Sequence, residues 1–189
     1  MRNEQDRRPK RSLRPRLAAW WPALAAVVAV LVAAFLVLRP SSSSAGLVGK
    51  RAPDFTLLDV GGRSVRLTGF SGHPVVLNFW GVNCLPCRRE LPVLQQAYSL
   101  YRGQGLVILG VDEQLDDAQA VQLFTAEHGA SYPMILDPGS KLMAPYGLEA
   151  LPRSFLIDRE GVIRADEQAP FLDLGPLKAA LRPILIGGQ

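Results

Sequence analysis

The chain has 189 residues, only two of them cysteines, and 48% of it is hydrophobic. With one long apolar run near the N-terminus set aside, about 140 residues are left, enough to bury roughly two thirds of their unfolded surface without a covalent staple. The net charge of +4 is N-terminal, since residues 1–16 carry six arginines and one lysine against Glu4 and Asp6; the rest has no basic excess, which argues against nucleic acid as a partner.

Leu17 to Leu38 reads LAAWWPALAAVVAVLVAAFLVL, without a charge. As a helix it spans roughly 33 Å, enough to cross a bilayer core. Arg7, Arg8, Lys10, Arg11, Arg14 and Arg16 precede it, and only Arg39, Lys50 and Arg51 follow closely. That asymmetry predicts a cytoplasmic N-terminus and an extracytoplasmic domain at a bacterial cell membrane. Trp20 and Trp21 suit the headgroup level, and Pro22 sits near the first turn, where it costs least. The rival reading is a cleaved signal peptide ending near Ser43-Ser44-Ala45, although such apolar regions are usually shorter. The expected organisation is a basic segment over 1–16, a single-pass signal anchor over 17–38, a flexible linker over 39–50 and a folded domain over 51–189.

In the domain, Phe55 to Leu58 and Ser64 to Leu67 flank Gly61-Gly62, a hairpin signal. Val75 to Trp80 (VVLNFW) predicts a buried central strand. A helix is expected from Pro86, with Leu91, Leu94, Tyr98 and Tyr101 on one face, Gly103 as its stop and a kink at Pro92. Leu106 to Val111 predicts a second buried strand. Asp116 or Asp117 can cap a helix running to His128, ended by Gly129. Met134 to Leu136 is a short strand, and Lys141 to Tyr146 one or two helical turns. Ser154 to Ile157 and Val162 to Ala165 flank the turn Asp158-Arg159-Glu160-Gly161. Gly175 to Leu185 predicts a closing helix interrupted by Pro183. The order implies an α/β domain, a mixed sheet with helices on both faces.

Asn83-Cys84-Leu85-Pro86-Cys87 lies between the strand VVLNFW and the amphipathic helix, the context of a redox CxxC motif. Cysteines three apart across a helix start can bring their sulfurs within bonding distance. The first sulfur faces the unpaired N–H groups and positive end of the helix, which favour thiolate. The second lies a turn inside, shielded, and can attack only a mixed disulfide. Cys84 is therefore read as the nucleophile and Cys87 as the resolving thiol, with Pro86 fixing the loop. Two other readings stay open. A structural disulfide across so short a loop would remove little chain entropy. Half of a zinc or copper site needs further ligands, and only His73 and His128 are available.

Residues 47–187 resemble the extracytoplasmic thioredoxin-family proteins of the TlpA/ResA type, close to CcmG/DsbE, with a redoxin or AhpC/TSA-like domain. The stretches that carry the resemblance are Ala52-Pro53-Asp54-Phe55, VVLNFW, CLPCRRELP, and Tyr146-Gly147 through LPRSFLIDREGVI. It implies a thioredoxin-like fold with an N-terminal β-hairpin. It implies that Leu151-Pro152 forms a cis-proline loop whose backbone pairs with the substrate strand. It aligns Glu90 with an active-site glutamate able to exchange a proton with Cys87, against the plainer reading of an exposed first-turn acid. Trp80 matches the aromatic at the family's strand end, which reads equally as core packing or as flanking the site, and Asn78 stands where cytoplasmic thioredoxins bury an acid. Asn83 and Arg153 depart from the pattern, which favours tryptophan and a small residue, often threonine, at those positions.

The implied activity is thiol–disulfide oxidoreduction of exported protein thiols and disulfides, apocytochrome c in cytochrome c maturation among them. Electrons would come from a membrane donor of CcdA/DsbD type, and no cofactor is expected beyond a Cys84–Cys87 redox-active disulfide. Two other classes compete. A peroxiredoxin-like peroxidase is suggested by the APDFTL start, but such enzymes carry a threonine where Gly81 stands. A copper- or zinc-binding module is the non-enzymatic alternative.

Overall fold

The computed structural model describes residues 24–31 and 46–186. The chain divides into two units, Met1–Ser43 and Ser44–Gln189. In the first, residues 24–31 are helical and exposed. The remainder of the proposed anchor lies outside the described residues, as do the basic segment and residues 39–45 of the linker. Among the described residues no helix is long and apolar enough to cross a membrane. The ordered domain begins before the expected linker boundary: Gly49 N–H donates to the Ile163 carbonyl, and Ile163 N–H to that of Lys50.

The second unit is a mixed sheet of β1 (Thr56–Asp59), β2 (Ser64–Arg66), β3 (Val75–Trp80), β4 (Val107–Asp112), β5 (Met134–Leu136), β6 (Arg153–Ile157) and β7 (Ile163–Glu167). Their order is β2-β1-β5-β4-β3-β6-β7. β3 and β4 are parallel, as are β4 and β5, while β6 runs antiparallel to β3. The helices are α1 (Leu85–Tyr101), α2 (Ala118–Glu127), α3 (Met143–Tyr146) and α4 (Leu174–Ile186).

VVLNFW is buried at every position, as a strand covered on both faces must be. Its side chains still alternate. Val76 and Trp80 join one core cluster with Leu91 and Leu94 of α1, Val121 and Phe124 of α2, and Leu177, Leu181 and Ile184 of α4. Val75, Leu77 and Phe79 join the other, with Tyr146 of α3. Helices do cover both faces, but unequally. The successive parallel steps β3-α1-β4-α2-β5 progress across the sheet in one direction, so a crossover of constant hand lays α1 and α2 on the same side. The single-turn α3 covers the other, its Tyr146 ring 5.1 Å from both Phe79 and Phe155.

The sequence-based boundaries need three corrections. α1 ends at Tyr101, a 3₁₀ turn follows over Arg102–Gln104, and the left-handed stop is Gly105 at φ +92°, not Gly103. Leu67 leaves β2 for a 3₁₀ turn. Pro183 does not interrupt α4: the helix continues to Ile186 because Leu181 and Ile184 on either side are buried in the core, which outweighs one missing backbone bond. Pro92 lies within α1, as its place in the sequence implied. The hairpin turn between β1 and β2 is held by Asp59, whose Oδ1 accepts from Gly61 and Arg63 N–H at 2.9 Å each.

Candidate active site

The CxxC motif starts α1 at the carboxyl end of β3. Cys84 is the N-cap, extended at φ −85° and ψ 101°, and Pro86 occupies the first turn. Cys84 and Cys87 form a disulfide, with Cα atoms 5.2 Å apart. The Cys84 Sγ also accepts the Cys87 N–H at 3.3 Å, so an N–H orphaned by the helix start is directed at the sulfur. Cys84 is 8% exposed and Cys87 1%. Of the two, Cys84 is the more accessible to an incoming thiol or disulfide.

One turn further along α1, Glu90 is buried at 1% exposure, which overturns the exposed-acid reading. Its Oε1 accepts the Phe171 N–H at 3.0 Å, and its Oε2 accepts from Asn78 Nδ2 at 3.0 Å. The same Asn78 nitrogen donates to Ser154 Oγ at 2.9 Å. Burial pushes the Glu90 carboxyl up to about 7, against the opposing pull of the Phe171 and Asn78 hydrogen bonds. Asn78, at the position where cytoplasmic thioredoxins bury an acid, is thus hydrogen-bonded to the titrating carboxyl of Glu90 on α1.

Leu151-Pro152 is a cis peptide bond. The β3–β6 register sets Arg153 opposite Phe79, so Pro152 enters the sheet beside Trp80 and at the same end as Cys84. Leu151 is half-buried, Pro152 buried, and Pro86 exposed. Trp80 is 1% exposed and stacks on Phe124 with centroids 5.8 Å apart, in the cluster that contains both cysteines. Its indole N–H is buried without a partner.

The loop before Cys84 is held by side chains that sequence reasoning missed. Asp116 Oδ2 accepts the Val82 N–H at 2.9 Å, and Gln114 Oε1 accepts the Asn83 N–H at 2.8 Å. Arg88 Nε donates to the Val82 carbonyl at 2.8 Å while its guanidinium lies 4.9 Å above the Phe124 ring. Asp117, not Asp116, caps α2, accepting from Ala120 N–H at 2.7 Å. A Cβ built on Gly81 would lie 2.3 Å from Gln114 Cγ. The position where a peroxidatic enzyme carries threonine is therefore already filled by the residue that holds the loop. Behind the loop, Asp112, Glu113 and Asp137 are buried, each with a carboxylate oxygen lacking a partner. The acidic run from Asp112 to Asp117 was the only signal, and it reads equally as a helix cap. Among the described residues no group of three or more His, Cys, Asp or Glu is placed to hold a metal ion.

Comparison with known proteins agrees with this geometry. The thiol-disulfide oxidoreductase ResA of Geobacillus thermodenitrificans is 39% identical over 124 residues, 66% of this chain and 71% of that protein. ResA of Bacillus thuringiensis is 38% identical over 116 residues, 61% of this chain and 66% of that relative's length. Among solved structures, a protein described as thiol:disulfide interchange protein DsbE from Chlorobium tepidum superposes with a TM-score of 0.68 at 29% identity, covering 73% of this chain and 97% of that one. StoA from Bacillus subtilis superposes with a TM-score of 0.57 at 26% identity, covering 68% and 96%. The AhpC/TSA family matches residues 48–166, more than half of the sequence. By that match and the ResA likeness together, the chain belongs to the AhpC/TSA family, as a ResA-like member with the thioredoxin fold.

Proposed function

We propose that this protein is a membrane-anchored, extracytoplasmic thiol–disulfide oxidoreductase that reduces disulfides of exported proteins, apocytochrome c among them. The observation that carries the reading is a reachable Cys84 sulfur at the head of α1, joined to a shielded Cys87. In the reduced protein the Cys84 thiolate attacks one sulfur of the client disulfide. The client's other sulfur leaves as a thiolate and takes up a proton. Cys87 loses its proton and attacks Cys84 Sγ, which expels the second client thiol and forms the Cys84–Cys87 disulfide. Two electrons pass to the client in each cycle, and no cofactor takes part.

Glu90 acts as the acceptor for the Cys87 proton, because a buried carboxyl titrating near neutrality matches that task. The backbone of Leu151 and Pro152 pairs with the client strand by β-augmentation, with the exposed Pro86 flanking; Trp80, expected beside the client, is buried and packs beneath the cysteine pair instead. A membrane donor of CcdA/DsbD type returns the electrons. The charge-free run Leu17–Leu38 and the basic residues before it support a single-pass anchor with its N-terminus in the cytoplasm.

The test is trapping in intact cells. Cys87→Ser should accumulate mixed disulfides through Cys84 with exported proteins, and Cys84→Ser should accumulate none. Equal trapping by the two variants reverses the roles. A Cys84–Cys87 couple as oxidising as about −120 mV would make the protein an oxidant instead.

A further inference from the structure

Arg153 directly follows Pro152 and is 5% exposed. Its guanidinium makes three hydrogen bonds, one from each nitrogen. Nε donates to Asp166 Oδ1 at 2.8 Å and Nη2 to Asp166 Oδ2 at 2.7 Å, a forked pair, and Nη1 donates to the Gly147 carbonyl. The cation also lies 5.1 Å from the centroid of the Phe155 ring. Asp166 sits on β7, paired in register with Phe155, and is itself 11% exposed. Gly147 is the left-handed residue, φ +59°, that closes α3. The bond from Arg153 to Gly147 therefore joins the two ends of the loop Leu148–Pro152, and Asp166 ties that junction to the sheet.

Three features indicate a purpose beyond stability. A buried ion pair returns little net stability after desolvation, so its yield here is geometric. A threonine, the residue that the resemblance favours at this position, could reach neither Asp166 nor Gly147. Phe155 belongs to the core opposite the cluster that holds both cysteines, so Arg153 acts from behind the loop and touches neither sulfur.

We propose that Arg153 is a positioning residue that staples the Leu148–Pro152 loop into the shape receiving the client's extended strand. It thereby sets client affinity and leaves the thiol chemistry unchanged. The proposal rests on the disulfide-exchange reading above, and its test separates the two. Arg153→Lys keeps the charge opposite Asp166 but cannot form the fork and reach Gly147 together. The double variant Arg153→Thr/Asp166→Thr removes both charges, so neither is left buried and unpaired. Each is compared with wild type in reduction of insulin with dithiothreitol returning the electrons, in the reaction of the reduced protein with a small aromatic disulfide, and in the midpoint of the Cys84–Cys87 couple against glutathione.

The expected result is a KM for insulin raised about tenfold or more, with kcat, the small-disulfide rate and the midpoint unchanged. An unchanged insulin KM in a folded variant overturns the proposal. So does a parallel fall in the small-disulfide rate, which would mean general damage. Failure of both variants to fold also overturns it, since the clamp would then be a folding element. Wild-type protein that reduces neither substrate sinks the disulfide-exchange reading itself.

Discussion

Glu90, proposed above as the acceptor for the Cys87 proton, owes its titration to its surroundings. Its carboxyl loses most of its water on burial and recovers only part of that loss from the Phe171 N–H and the Asn78 amide. It therefore titrates near 7, where it can both take and release a proton at ambient pH. The resolving step of the reduced protein should show an inflection near pH 7 that Glu90→Gln abolishes, with the rate falling about a hundredfold. Asn78→Ala gives the complementary result. Its amide favours the charged carboxylate, so removing it should move the inflection to higher pH without erasing it. Stopped-flow reaction with a small disulfide between pH 5 and 9 reads both outcomes. An inflection that survives Glu90→Gln would assign the titration to a thiol instead.

At the scale of elements, the segment between β4 and α2 divides its labour between two adjacent aspartates. Asp117 caps α2, whereas Asp116 accepts from Val82 N–H in the loop before Cys84. Asp117→Ala should cost about 1 kcal/mol in chemical denaturation and leave exchange unaltered. Asp116→Ala should frees the active-site loop, changing the rate of Cys84 alkylation by iodoacetamide more than it changes stability. Identical behaviour of the two variants would refute this division. The sequence left the capping role open between them because both stand one or two residues before an amphipathic run; only the fold brings Val82 to Asp116. Elements with a strong local signal were legible: VVLNFW, the Cys84–Pro86–Cys87 helix start and the Gly161 turn all stand where pattern and turn chemistry put them. Contacts made by backbone groups from distant segments were not. The Phe171 N–H on Glu90 comes from 81 residues away and has no side-chain signature. Arg153 was legible as a departure from the family pattern, but its partner Asp166 was not, because β6–β7 register decides that pairing.

For the whole molecule, two populations of carboxyl groups act on stability at opposite ends of the pH scale. Burial would raise Asp59 and Asp158, but hydrogen bonds and ion pairs with Arg63 and Arg164 hold both below the usual aspartate range. Their contribution is present above the unfolded value near 3.8 and is lost as pH falls through their folded values. Glu90, Asp112 and Glu113 behave in the reverse sense. Burial first, then the neighbouring Asp137 and Asp112 carboxylates, push Glu113 up to about 8, and burial with Asp116 raises Asp112 to about 7. Between the unfolded value near 4.5 and the folded value near 8, the native state holds a proton at Glu113 that the unfolded chain has released. Stability must therefore fall as pH rises across that window and level off above it. The domain should be most stable near pH 5, with a lower Tm at pH 8. Glu113→Gln keeps the shape and removes the charge, and an unsatisfied buried polar group costs about 1–3 kcal/mol. The variant should gain stability at pH 8, change little at pH 5 and flatten the slope between them. Thermal unfolding of the oxidised protein at both pH values checks this, because the disulfide then contributes no titrating thiol. A slope that persists in Glu113→Gln would transfer the effect to Glu90 and Asp112, and Glu90→Gln measured at the same two pH values would apportion it.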